Sequence, residues 1–156
     1  MMEGDGDDMV SATAVRTERR WDLPHAASAV PSAREELVDL LVSLGVRDST
    51  VGEAELAASE LLGNAVVHGR PGPRGTISLK VRVHEGTVEV AVTDGGPTDG
   101  QVADVRPRRT SVVATRGRGL RIVRSLAHEW GVIVDPEAGD TTVWATIGGP
   151  SRRRAV

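Results

Sequence analysis

Apolar and polar residues follow two different periods along this chain, and the change from one to the other marks out its elements. Residues 19–23 read as an edge strand, stopped at Pro24. Ser32 and Glu35 have capping-box spacing, and Leu37, Leu40, Leu41 and Leu44 follow at i, i+3, i+4 and i+7. This predicts a helix over residues 32–44, with Gly45 as its stop. Thr50 and Glu53 repeat the box spacing and open a second helix that runs to His68 and stops at Gly69.

Past Gly69 the period falls to two. Ile77, Leu79, Val81 and Val83 alternate with polar residues, and so do Val88, Val90 and Val92 after a turn at Glu85-Gly86. That is an antiparallel hairpin with one buried face. Residues 95–116 hold no sustained period, and a stretch of that length in a compact domain is a lid, a binding loop or a disordered connector. A third helix is expected after Gly119, with Leu120, Val123, Ala127 and Trp130 on one side and Gly131 ending it. Residues 132–134 and 142–147 read as the last two strands, joined by a turn over residues 136–140. The expected fold is α+β: a two-layer sandwich of a mixed, mainly antiparallel sheet with about three helices on one face.

Composition narrows the function more than the fold. The chain has 156 residues, enough for one domain with a real core, and 39% of them are apolar. Residues 1–15 read as a disordered acidic tail, 16–149 as the domain, and 150–156 as a short basic tail. No run approaches the roughly 18 to 20 apolar residues that cross a bilayer, and the acidic start lacks the form of a signal peptide. There is no cysteine, hence no disulfide, thiolate metal site or cysteine nucleophile. A cytoplasmic protein without a membrane segment is the natural expectation. With no Phe or Tyr, three Trp and a net charge of −3, direct nucleic-acid binding is disfavoured on both stacking and electrostatic grounds.

Three motifs carry candidate chemistry. Glu60, Asn64 and His68 stand four residues apart, so their side chains share one stripe of the second helix, with Gly63 inside it. Asp94-Gly95-Gly96-Pro97 closes a strand; its aspartate can accept from an exocyclic amine and its glycines can let a flat ring lie against the backbone. Arg116-Gly117-Arg118-Gly119 opens a helix, where backbone N–H groups and the helix dipole favour phosphate. Each motif alone has a plainer reading: a solvated helix face, a turn, a hinge. A P-loop is excluded, because no Gly-Lys-Ser/Thr follows, and so is a Rossmann fingerprint, because no strand directly precedes the glycines.

It is their order that is specific. A helix with E-L-x-x-N-A-x-x-H-G, a strand ending V-T-D-G-G-P, and a long loop closing on G-R-G-L-x-I-V resemble the three nucleotide-binding boxes of the GHKL superfamily of ATPases and kinases. Within it, the chain resembles the bacterial anti-sigma-factor serine/threonine kinases over residues 19–147, including the closing T-V-W stretch. The resemblance implies the histidine-kinase-like ATPase fold, with ATP and Mg²⁺ as cofactors. Carried across, Asn64 is the metal ligand, Glu60 the general base, and Asp94 the partner of the adenine amine, with Gly96 giving the ring clearance. Gly117 and Gly119 are expected to cradle phosphates, with Arg118 adding charge. Thr142 supports the Asp94 contact, in an alignment ambiguous by one residue with Thr141.

The implied activity is phosphorylation of an anti-anti-sigma protein together with antagonism of a sigma factor; a homodimer is left open. The alternative is a nucleotide-binding partner-switch module that transfers no phosphate. Two departures from the family pattern stand out. A later glycine often found near the D-G-G stretch is missing or displaced, and the loop carries Arg106, Arg108 and Arg109 with no lysine.

Overall fold

The computed structural model describes residues 16–97 and 119–149. Five strands form one sheet in the order β1-β2-β3-β5-β4. They are β1 (Thr17–Pro24), β2 (Thr76–His84), β3 (Thr87–Asp94), β4 (Glu129–Val134) and β5 (Thr141–Gly148). Every pairing is antiparallel, so the sheet is simpler than the mixed one expected. Three helices cover one face: α1 (Val30–Ser43), α2 (Asp48–His68) and α3 (Gly119–Leu126). No helix among the described residues is long and apolar enough to cross a membrane.

The period-two strands behave as their pattern dictates. Ile77, Leu79, Val81, Val88, Val90 and Val92 are buried on the helix side. Their alternating partners on the open face include Lys80, Arg82 and Glu89, which join Glu18 of β1 in a chain of exposed ion pairs. Leu37 and Leu41 of α1, Leu61 and Leu62 of α2, and Ile147 of β5 complete a core with no buried aromatic ring. The hairpin turn has Glu85 at φ 50° and Gly86 at φ 77°, the left-handed pair of a two-residue turn that matches strand twist.

Both helix starts differ from the expected capping boxes. α1 begins two residues before Ser32, with no side-chain cap, and Pro31 lies in its first turn, where a fixed φ and a missing N–H suit the helix. α2 begins at Asp48, whose acid complements the positive helix end. Thr50 lies inside that helix, buried against the backbone of Gly148, so tertiary packing claims the side chain that the box would use. The stop at Gly45 is as expected. With φ at 73°, its N–H reaches Val42 O and that of Val46 reaches Leu41 O, a Schellman closure.

The third helix is shorter than its apolar spacing suggests. α3 ends at Leu126, and Trp130 and Gly131 belong to β4. Trp130 still packs on the core, as its spacing requires, but it does so from a strand paired with Ala145. Gly131 faces Trp144, whose ring lies where a β-carbon would come within 2.9 Å, so the glycine admits the indole and does not end a helix. Both tails, and the aperiodic stretch from position 98 onward together with Gly117 and Arg118, lie outside the described residues.

Candidate functional site

The last turn of α2 and the end of β3 are fastened to each other. The chain leaves α2 through Gly69 in extended conformation and bridges Pro97. Arg70 N–H donates to Gly96 O at 2.7 Å, and Gly95 N–H donates to Arg70 O at 2.7 Å. The H-G and D-G-G-P segments, separate in sequence, therefore form one short backbone ladder.

Asp94 sits beside this ladder, half-buried. Its Oδ1 accepts the Gly96 N–H at 2.8 Å, and its Oδ2 lies where a β-carbon on residue 69 would be. Burial pushes the carboxyl up to about 6; the Gly96 bond and the nearby His25 oppose the shift, and Asp140 adds to it. The glycines after Asp94 have reasons internal to the protein. At Gly95 the Pro71 carbonyl fills the β-carbon position; at Gly96, with φ at +100°, the Gly139 carbonyl would stand 2.6 Å away. Ring clearance is thus not needed to explain these glycines, since a side chain at either would collide with the fold itself.

Glu60 and Asn64 are half-buried on α2, each immediately before a buried core residue, Leu61 and Ala65. At 100° per residue this puts both on the flank of the buried stripe, one turn apart. His68 ends the same stripe and is exposed. Gly63 has open space around it, with nothing within 4 Å of an added β-carbon. Gly119 is the first residue of α3.

The register between β3 and β5 puts the two candidate threonines on opposite faces. Asp94 pairs with Thr141, and Thr93 pairs with Thr142. Cross-strand partners point to the same face, so Thr141 shares the helix side with Asp94. Thr142 is on the other face, its hydroxyl 2.7 Å from that of Thr93. Of the two threonines, the register therefore places Thr141, and not Thr142, on the side of Asp94. The phase of β5 could have revealed this, since Thr141 alternates with Val143, Ala145 and Ile147.

His25 escaped the sequence reading. Its Nε2 lies 3.0 Å from Ala65 O and 2.9 Å from Gly69 O. A lone histidine after a strand-ending proline carries no periodic signal, and only the tertiary structure brings it to the end of α2.

The donor set suits a Mg-nucleotide. The Asp94 carboxylate has acceptor capacity beyond its bond to Gly96, as an exocyclic amine requires. Among the described residues no three His, Cys, Asp or Glu side chains converge as a cage for a cation. The half-buried Asn64 carboxamide instead offers a single oxygen, as Mg²⁺ uses when phosphates and water supply the rest of its shell.

An open antiparallel sheet covered on one face by three helices is the layout of the histidine-kinase-like ATPase fold. The family model described as the histidine kinase-like ATPase domain matches residues 23–147, and the chain belongs to that family. Among solved structures it is similar to the crystal structure of the RsbU and RsbW domains of Rv1364c from Mycobacterium tuberculosis, with a TM-score of 0.63 and 23% sequence identity. That similarity covers 87% of this chain but only 34%, about a third, of the chain in that structure, and the likeness is one of fold. No curated protein matches it.

Proposed function

We propose that this protein is an ATP-dependent serine/threonine kinase of the anti-sigma-factor type. It phosphorylates a serine of an anti-anti-sigma partner and separately antagonises a sigma factor, in the cytoplasm. The observation that carries this reading is the edge of α2, where half-buried Glu60 and Asn64 stand one turn apart on the helix whose end is fastened to the glycines that follow Asp94. The fold likeness to the RsbU and RsbW domains of Rv1364c supports it.

In this reading Asp94 accepts the adenine amine, with Thr141 beside it, and Asn64 holds Mg²⁺, which neutralises phosphate charge. The N–H groups at Gly117 and Gly119, with Arg118, receive the phosphates. Glu60 takes the proton from the serine hydroxyl as its oxygen attacks the γ-phosphorus and ADP leaves. A carboxylate one turn from Asn64 favours transfer over storage, because a pure binder has little need for a base there.

The test is a single-turnover reaction of the protein with Mg²⁺ and γ-labelled ATP in the presence of anti-anti-sigma proteins. The kinase reading expects label on a partner serine. Tight nucleotide binding with all label retained on ATP would instead establish the partner-switch module without phosphotransfer.

A further inference from the structure

We infer that His25 is a positioning residue for base recognition: its imidazole braces the last turn of α2 so that Gly69 seats the carboxylate of Asp94. The inference deepens the nucleotide reading above and rests on it.

His25 is held at its backbone before its side chain acts. It follows β1, whose last residue Pro24 pairs with Thr76, and its N–H donates to Gly75 O at 3.2 Å. The ring then reaches away from the sheet edge to the end of α2. Both atoms it meets, Ala65 O and Gly69 O, are carbonyls and can only accept, so Nε2 carries the proton and shares it between them. Ala65 O already accepts the Gly69 N–H at 3.1 Å, so the imidazole adds a second donor there, at the negative end of the helix where a donor is favoured.

The second of these carbonyls links the brace to the site. Gly69 touches the Asp94 Oδ2 through its bare α-carbon, and its neighbour Arg70 holds both Gly95 and Gly96 by backbone bonds. A small movement of Gly69 therefore moves the floor under the carboxylate and the loop that holds its other oxygen. Support for this turn thus reaches it from the residue that follows β1. His25 need not touch the base to govern where Asp94 points.

A merely structural histidine would affect stability or all binding alike, whereas a brace for Asp94 affects the amine contact selectively. The experiment compares affinities for Mg-ATP and for Mg-purine riboside triphosphate, which lacks only the 6-amino group. It uses calorimetry on the full chain as wild type, His25→Leu and His25→Gln. The wild type should prefer ATP. His25→Leu should lose about tenfold of that preference, the scale of one hydrogen bond, with affinity for the purine analogue unchanged. His25→Gln should restore it, because its amide nitrogen can donate to the same carbonyls.

A preference that survives His25→Leu, or an equal loss for both nucleotides, overturns the inference while leaving the nucleotide reading intact. A wild type that binds neither nucleotide overturns both. If His25→Leu does not fold, nitrogen–proton correlation of the wild-type imidazole decides. The inference expects an Nε2–H tautomer whose signals move with ATP and not with the analogue. An Nδ1–H tautomer, or signals indifferent to ATP, overturns it.

Discussion

The α-carbon of Gly69 occupies a position from which any β-carbon would run into the carboxylate of Asp94. A helix terminus and a strand terminus are thus fitted together through the absence of one side chain. Gly69→Ala should lower stability by about 1–3 kcal/mol, the usual scale of forced overpacking, and should also weaken adenine-nucleotide binding by displacing Asp94. Denaturant unfolding and calorimetry on the same variant check both effects.

Gly63, six residues earlier and inside α2, gives the opposite expectation. An added β-carbon there meets nothing within 4 Å. Gly63→Ala should therefore stabilise the protein by about 0.5–1 kcal/mol through helix propensity alone. A loss of stability in denaturant would show that the space is not as open as the geometry makes it.

The protonation of Asp94 predicts a pH dependence with a definite sign. Its carboxyl is raised from 3.8 to about 6 in the folded protein, so the fold binds this proton more tightly than the unfolded chain does. The resulting stability is fully present below 3.8 and is lost as pH rises through about 6. Nucleotide binding runs the other way, because the amine needs the ionised acceptor. Affinity should fall as pH drops through about 6, with proton release on binding below it. Asp94→Asn should flatten both trends and weaken binding at neutral pH, as titration calorimetry across buffers of different ionisation enthalpy will report.

Glu60 and Asn64 should separate in their effects. Glu60→Gln keeps nucleotide affinity but loses phosphoryl transfer by about 10²-fold or more, the scale of a general base. Asn64→Ala loses the Mg²⁺-dependent part of nucleotide binding. Transfer at the wild-type rate by Glu60→Gln would remove the base assignment.

The two threonines give a local test of register. Thr141→Val should weaken nucleotide binding, because Thr141 shares a face with Asp94. Thr142→Val should spare binding and cost about 1 kcal/mol of stability through its lost hydroxyl bond to Thr93. The reverse pattern would mean that the ligand approaches from the open face of the sheet.

Much of this architecture is legible in the chain, for identifiable reasons. The hairpin of β2 and β3 follows from strict alternation with one buried face, and the ends of α1 and α2 follow from Gly45 and Gly69. Helix starts were harder to read. Box spacing at Ser32 and Thr50 competes with Pro31 and with the burial of Thr50 under β5, and only packing decides that contest. Trp130 has helical spacing from Leu120 yet lies on a strand, because both conformations can turn it toward the same core. Asp94 was visible as the end of a strand. Its dependence on Gly69, Gly139 and His25 was not, since no local pattern connects residues so distant along the chain.

That distance has a consequence for how the protein is made. The Asp94 seat draws on His25 after the first strand, the end of α2, the end of β3, and Gly139 in the final hairpin. Few of its contacts are local, so loop closure delays them until β1 and β5 have joined the sheet. A chain emerging from synthesis would have its helices and central hairpin well before it had a place for a base. A nucleotide seat built this way is expected to form late in folding, and bound nucleotide would then stabilise only molecules whose first and last strands are both in place.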